Sequence, residues 1–149
     1  MNIRIANKDD ISKLKELDVK DQYYIEELGE YHSVLDDEEF LLYFLESKSI
    51  FIAEEFSTIY GFLLAQLREW MFHQKNIIWI EHIVVDPEKR NTGIAQNLIT
   101  FMLKCYKEKY PKIRYVYSII NPDNKASLEM SRKFNPLSRS VFILTKEID

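Results

Sequence analysis

An apolar strand that leads through a glycine-containing loop into an amphipathic helix lies in the middle of this 149-residue chain. The strand is predicted over 77–85, where Ile, Val and Trp dominate, and Asp86-Pro87 ends it. Apolar residues then recur at helical spacing until Pro111: Ile94, Leu98, Ile99, Met102 and Leu103. A strand this apolar is typical of the interior of a sheet covered by helices, so the segment predicts an α/β fold.

The rest of the chain alternates strand-like and helix-like segments around this unit. Cap residues at 7–10 and 36–37 and the turn at 121–124 each precede an amphipathic stretch, which predicts three further helices. The predicted strands cover 3–5, 49–54, 59–66, 77–85, 114–120 and 141–145, with a hairpin turn at 56–58. The order β-α-α-β-β-β-α-β-α-β predicts a mixed α/β protein with a single domain over 1–149.

Composition excludes several classes of protein. The hydrophobic fraction of 46% and the charged fraction of 30% are typical of a globular chain. The single cysteine, Cys105, cannot form an internal disulfide and is predicted to be a buried structural thiol; with three histidines it forms no metal site. No apolar run is long enough to span a membrane, no signal core is present, and we expect a cytoplasmic protein. An acidic chain without a basic stripe argues against nucleic-acid binding.

The charge is distributed unevenly along the chain. Residues 1–85 carry 8 basic and 17 acidic residues, whereas residues 86–149 carry 12 and 7. The first part therefore suits a cationic ligand and the second an anionic one. The alternative is that these charges only solvate the surface.

The loop at 86–93 and the start of the following helix have the features of an anion site. The first turn of a helix presents backbone N–H groups without partners and carries partial positive charge. Gly93 allows close approach of a ligand, Ala95 keeps that approach clear, and Arg90 adds a permanent positive charge. The segment is thus a candidate pyrophosphate site. The alternative is an ordinary helix start with an exposed arginine.

The pattern Arg90-x-x-Gly93-x-Ala95 resembles the R/Q-x-x-G-x-G/A motif of the GNAT superfamily of N-acetyltransferases. The strand end at 83–87 resembles the central strand of that family, and residues 124–128 resemble its helix start after the fifth strand. The resemblance extends from residue 3 to residue 145. It implies a mixed, mostly antiparallel central sheet with a splayed cofactor cleft and flanking helices. The implied activity is transfer of an acetyl group from acetyl-CoA to a primary amine, with CoA as product.

The resemblance also implies where acetyl-CoA binds. Pantetheine would pair with the backbone of Ile83, Val84 and Val85 like an added strand. The pyrophosphate would bind the N–H groups of Arg90, Asn91, Thr92, Gly93, Ile94, Ala95 and Gln96. Asn124 would hydrogen-bond near the pantetheine arm, or cap the helix that it precedes. Asn121 is a further candidate.

Glu81 is the candidate general base. An ammonium group cannot attack a thioester until a base removes its proton, and Glu81 matches the fourth-strand glutamate that some family members use. The alternative is a carboxylate paired with a nearby Arg or Lys. His82 is adjacent, so strand alternation predicts that it points to the opposite face as a packed or surface histidine.

Ser131 departs from the family pattern. Many members have a tyrosine here that protonates the leaving thiolate, and a serine hydroxyl is a poor acid at neutral pH. Water, Ser131 or a tyrosine elsewhere could assist the thiolate, although the CoA thiol is acidic enough that a dedicated acid is not strictly required. This departure keeps a second function open: a catalytically weak or inactive acyl-CoA-binding regulatory module on the same fold.

The resemblance implies that the first helices and the loop between them shape the acceptor site. Here residues 18–39 contain nine acidic residues and one basic residue. Interleaved aromatic rings would add attraction for a cation. We therefore expect a cationic amine, either a small molecule or a peptide, or else a solvated acidic face. The candidate acceptor-binding residues are Tyr23, Tyr24, Glu27 and Tyr31. Trp70, Met71 and Phe72 could form an exposed apolar patch that supports a homodimer.

Overall fold

A five-stranded sheet forms the centre of the computed structural model, which describes residues 1–20, 34–70, 75–120 and 124–134. The strands lie in the order β1-β2-β3-β4-β5. The first four are antiparallel to their neighbours, and β5 runs parallel to β4. Their bounds are β1 Asn2–Ile5, β2 Ile50–Glu55, β3 Thr58–Trp70, β4 Lys75–Val85 and β5 Val116–Ser118.

Four α-helices accompany the sheet in the described residues: α1 Ile11–Lys20, α2 Glu38–Glu46, α3 Ile94–Lys109 and α4 Lys125–Arg132. The predicted α/β fold and the order of its elements are confirmed as far as residue 134. The predicted last strand at 141–145 lies outside the described residues. The chain divides into two compact units, Met1–Ile119 and Ile120–Asp149. That these form a single domain stays a prediction.

A two-residue turn joins β2 and β3 in a hairpin. Glu55 pairs with Thr58, so only Phe56 and Ser57 lie between the strands. Both have positive φ, 50° and 64°, which is the conformation of the two-residue type I′ turn that suits strand twist. The turn predicted at 56–58 is therefore confirmed.

The core lies on both faces of the sheet. On one face, α1 and α2 bury Leu14, Leu17 and Phe44 against Phe62 and Leu64 of β3. On the other face α3 packs against Gly61 of β3. The side chains of β3 and β4 therefore point either to the face covered by α1 and α2 or to the face covered by α3.

Gly61 makes the close packing of α3 possible. A Cβ added there would lie 2.8 Å from Cγ2 of Ile94 and 3.0 Å from the backbone oxygen of Val84. Both distances are shorter than ordinary van der Waals contacts. The absence of a side chain therefore lets the first turn of α3 sit directly on β3, and this positions the loop that leads into it.

Candidate functional site

Strands β4 and β5 are paired over only part of the length of β4. The pairs are Ile78 with Val116, Trp79 with Tyr117 and Ile80 with Ser118. The strand predicted at 114–120 is thus shorter than expected, because its pairing with β4 ends at Ile80. Within the described residues, 82–85 pair with β3 but with no residue of β5. The backbone predicted to bind pantetheine, Ile83 to Val85, lies in this open stretch.

A β-bulge marks the point where the pairing ends. Leu64 pairs with His82 and the next residue, Ala65, pairs with Ile80, so Glu81 is an extra residue in β4. A bulge bends its strand and increases the local twist. The bulged residue Glu81 directly follows Ile80, the last β4 residue paired with β5.

The bulge brings Glu81 and His82 to the same face of the sheet. Leu64, Gln66 and Arg68 alternate along β3 and share one face. Glu81 accepts hydrogen bonds from Gln66 and Arg68, and His82 lies opposite Leu64. The prediction that His82 points away from Glu81 is wrong, because strict alternation holds only in a regular strand.

Glu81 is held by two donors from β3. Gln66 Nε2 and Arg68 Nη2 both donate to the same oxygen, Oε1. The guanidinium of Arg68 also lies over the ring of Trp79, 4.8 Å from its centroid. The side chain of Glu81 is 17% exposed and that of Arg68 42%. The alternative considered for Glu81, a carboxylate paired with a nearby Arg or Lys, is therefore present as the pair with Arg68. Neither of the two hydrogen bonds from β3 uses Oε2 of Glu81.

His82 has a partner that the sequence analysis did not assign to it. Its Nε2 lies 2.7 Å from Oδ1 of Asp18 on α1. The side chain of Asp18 is 1% exposed, so this residue belongs to the interior and not to an exposed acidic rim. A sequence signal existed, because Asp18 shares the buried helical stripe of Leu14 and Leu17.

Short-range hydrogen bonds fix the loop after β4. The N–H of Asp86 donates to Tyr60 O (2.8 Å), and its carboxylate accepts from the N–H of Glu88 (3.0 Å). Asp86 thereby caps a short 3₁₀ turn over Pro87–Lys89. Thr92 Oγ1 donates to the Lys89 carbonyl oxygen at 2.6 Å. The loop is thus tied to β3 and to itself before α3 begins.

The N-terminus of α3 is open. Gly93 is the N-cap residue with φ 86°, and no side chain caps the helix there. A Cβ added to Gly93 would meet nothing within 4 Å. Asn91 also has positive φ, 64°, and Arg90 is exposed. Uncapped first-turn N–H groups, approachable over a residue without a side chain, fit a phosphate group.

Helix α4 shows local uses for two candidate residues. Asn124 caps the helix, since its Oδ1 accepts from the N–H of Ser127 at 3.0 Å. Ser131 Oγ donates to the carbonyl oxygen of Leu128 at 2.8 Å. The alternative role of Asn124 as a helix cap is therefore present, and the Ser131 hydroxyl proton is engaged by its own helix.

Several predicted residues lie outside the part of the chain that the structure describes. These are Tyr23, Tyr24, Glu27, Tyr31 and Asn121, together with Met71 and Phe72 of the proposed apolar patch. Within the described ranges no group of three or more His, Cys, Asp or Glu side chains could hold a metal ion. No described helix is long and apolar enough to cross a membrane.

Cys105 is half-buried, whereas we predicted a buried thiol. Burial raises its pKa, with a further contribution from Glu108. A thiol with a raised pKa is a poor nucleophile at neutral pH. The environment of Cys105 therefore gives no support to an acyl-cysteine mechanism.

The fold and the loop together define an α/β protein with an open β4 edge followed by a helix start that fits a phosphate group. The sequence model of the acetyltransferase (GNAT) family matches residues 12–135, and the chain belongs to this family. The predicted family, fold class and enzyme class, N-acetyltransferase, are confirmed. No curated protein sequence is significantly similar to the chain.

Solved structures with the same fold include two aminoglycoside acetyltransferases. One, from an uncultured soil metagenomic sample in complex with sisomicin, has 21% identity and a TM-score of 0.72, covering 99% of this chain and 95% of that one. The other, in complex with CoA, has 22% identity and a TM-score of 0.73, covering 99% and 100%. A transcriptional regulator from Bacillus halodurans has 16% identity and a TM-score of 0.73, covering 97% and 99%. At these identities the likeness shows the fold.

Proposed function

We propose that the protein transfers the acetyl group of acetyl-CoA to a primary amine and releases CoA. The observation that carries the proposal is the end of β4–β5 pairing at Ile80. The last residues of β4, 81–85, then lead through the loop to the uncapped helix start at Gly93. An open strand edge and an open helix N-terminus are the two backbone features that an extended amide chain and a pyrophosphate need. Membership of the acetyltransferase family supports the same donor.

These two features support the donor-binding residues that the family resemblance implies. The backbone of 83–85 would hydrogen-bond the amide groups of pantetheine, and the N–H groups of 90–96 would bind the pyrophosphate, assisted by the charge of Arg90. Asn124 and Asn121 are proposed to contact the pantetheine arm. Acetyl-CoA itself supplies the thioester carbonyl that the amine attacks.

Glu81 is proposed as the general base. It would accept the proton of the ammonium group directly or through a water molecule, so that the neutral amine can attack. Gln66 and Arg68 hold Oε1 in place, which leaves Oε2 as the oxygen for the proton. A fixed carboxylate of this kind needs little reorganisation when the amine arrives.

The acceptor is proposed to be a cationic amine, either a small molecule or a peptide. The excess of acidic residues in the first 85 positions supports this class. Two proteins with the same fold act on aminoglycosides by their descriptions, and these are polyamines. Tyr23, Tyr24, Glu27 and Tyr31 are the proposed acceptor-binding residues.

A regulatory acyl-CoA-binding module is the second candidate function. The supporting observation concerns Ser131, which occupies the position where many family members have a tyrosine that protonates the leaving thiolate. The Ser131 hydroxyl instead donates a hydrogen bond to the Leu128 carbonyl oxygen of its own helix. Such a module would bind acetyl-CoA without transferring the acetyl group. The homodimer stays a prediction for either function.

Release of free CoA thiol from acetyl-CoA, measured with pooled amines, separates the two candidates. Glu81→Gln is expected to lower kcat by roughly 10²- to 10⁴-fold, while acetyl-CoA affinity changes little. Arg90→Ala with Gly93→Asp is the matched control, expected to weaken acetyl-CoA binding because it removes a cation and adds an anion at the helix start. Tight acetyl-CoA binding with no release from any pool would support the module. Full turnover by Glu81→Gln would show that Glu81 is not the base.

A further inference from the structure

A buried carboxylate holds the ring of His82 on the face of the sheet that also carries Glu81. Asp18 Oδ1 lies 2.7 Å from Nε2 of His82, and the Asp18 side chain is 1% exposed. The ring of Phe62 meets the imidazole edge-on, with centroids 5.7 Å apart. Packing and a hydrogen bond therefore fix the position of the ring, while its side chain keeps 30% of its surface exposed.

The partner determines which nitrogen of the neutral ring carries the hydrogen. An ionised carboxylate only accepts hydrogen bonds, so Nε2 must donate to Asp18. The neutral ring then carries a lone pair on Nδ1. The structure gives Nδ1 no hydrogen-bond partner among the described residues. His82 thus has the arrangement of a general base oriented by an acid, with its accepting nitrogen turned from the acid.

We infer that His82 is a second proton acceptor of this site and that Asp18 is its positioning residue. The inference rests on the proposed function and names a further catalytic residue for it. Nδ1 of His82 would take the proton that leaves the ammonium group, sharing the transfer with Glu81, and the buried carboxylate would stabilise the imidazolium that forms. Imidazole is the side chain that most often serves as a general base in enzymes.

The step is balanced without a further reactant. One N–H bond of the ammonium group breaks and an N–H bond forms at Nδ1. The amine nitrogen then bonds to the acetyl carbon and loses its second proton to Oε2 of Glu81 or to water. The carbon–sulfur bond of the thioester breaks, and the CoA thiolate leaves with the bonding electrons. The proton held by His82 is afterwards lost to water or to the thiolate.

Charged groups around His82 come from three elements. Asp18 approaches from α1, Glu81 precedes it on β4, and Arg68 on β3 is already paired with Glu81. Residues Phe62 and Leu64, which face His82 from β3, are apolar. Asp18 is therefore the group in direct hydrogen-bond contact with the ring, and its removal is the sharpest perturbation.

The first measurement is the ¹⁵N spectrum of the histidine rings in the full-length protein. The chain has three histidines, and the variant His82→Gln assigns the signals of His82 by their loss. We expect neutral His82 to carry its hydrogen on Nε2 and to lose this preference in Asp18→Asn. A ring with its hydrogen on Nδ1 would overturn the inference whether or not any amine is acetylated.

The second measurement is the pH dependence of kcat with the best amine from the CoA-release pools. His82→Gln keeps an amide donor for Asp18, so it is expected to fold, and its kcat should fall roughly 10- to 100-fold. Its acetyl-CoA KM should not change. In Asp18→Asn kcat should also fall without a change in the acetyl-CoA KM, because asparagine no longer fixes which ring nitrogen of His82 carries the hydrogen. Thermal unfolding checks that both variants are folded.

The outcomes separate the two claims. If His82→Gln keeps the wild-type kcat and acid limb while Glu81→Gln loses activity, His82 takes no part and the proposed function still stands. If the wild-type protein releases no CoA with any of the pooled amines, the proposed function fails and the inference fails with it. If Glu81→Gln keeps the acid limb and His82→Gln loses it, the inference is supported.

Discussion

Replacing Gly61 by alanine tests how closely α3 must pack on the sheet. The new Cβ would lie 2.8 Å from Ile94 Cγ2, 3.0 Å from Val84 O and 3.3 Å from Leu98 Cδ1. Carbon atoms in contact are ordinarily about 3.5–4.0 Å apart. The Val84 oxygen belongs to the sheet backbone and cannot move aside. The start of α3 must therefore shift outward or the side chain of Ile94 must leave its rotamer.

The expected loss of stability follows from two opposing effects. Overfilling a well-packed core costs about 1–3 kcal/mol. Alanine also restricts the unfolded chain, which returns about 0.4–1 kcal/mol where the native backbone accepts it. The net destabilisation should be about 1–2 kcal/mol, and for a chain of this size each kcal/mol lowers the melting temperature by roughly 2–4 °C.

Urea denaturation followed by circular dichroism measures this difference. Ile94→Ala removes the nearest clashing methyl group, so it should offset part of the effect in the double variant, by about 1 kcal/mol relative to additivity. Gly93→Ala is the comparison variant, because its Cβ meets nothing within 4 Å. Its cost comes from backbone strain at φ 86°, so Ile94→Ala should not offset it. A Gly61→Ala protein as stable as wild type, or strict additivity with Ile94→Ala, would refute the steric argument.

Two further predictions concern charge and reactivity. Arg4 donates to Asp10 and Glu54, so Arg4→Met should cost about 1–3 kcal/mol in urea denaturation, and an unchanged midpoint would contradict this. The Arg4 guanidinium holds the pKa of Asp10 below its usual range. The stabilisation of the fold by this ion pair is therefore complete above about pH 4 and is lost as the pH falls through the lowered pKa. The difference in unfolding free energy between wild type and Arg4→Met should accordingly narrow in acid. Burial raises the pKa of Cys105, so iodoacetamide should alkylate it slowly at pH 7, and Cys105→Ser should keep wild-type kcat; fast alkylation or lost turnover would count against this.

Elements with strong local signals could be predicted from the sequence. Helix α3 has a complete apolar stripe and a proline beyond its end, and it is observed over Ile94–Lys109. The hairpin at Phe56-Ser57 was also predicted from its turn and flanking strands. The strand at 114–120 was predicted too long because its own apolar residues cannot show where its pairing with β4 ends. The point where β5 ends is set by the register of β4, and this register depends on the whole sheet.

The candidate site shows the same division between local and long-range causes. Gly93 could be identified from the loop alone, since a position with φ 86° at a helix start favours glycine. The partners of Glu81 could not, because Gln66 and Arg68 lie 15 and 13 residues away and meet it only through the β3–β4 register.

The β-bulge at Glu81 explains why the sequence pattern assigned His82 to the wrong face. Up to Glu81 the strand alternates regularly, and after it the alternation resumes one residue later. A single extra residue therefore places two titratable side chains next to each other on the face that α1 covers, where Asp18 reaches His82. No periodicity in 77–85 marks this residue, because both neighbours of the bulge remain compatible with a strand. The pairing of β4 with β3 and its contact with α1 stabilise the bulged register. These tertiary contacts therefore bring together Glu81 and His82, the two proton acceptors that we propose.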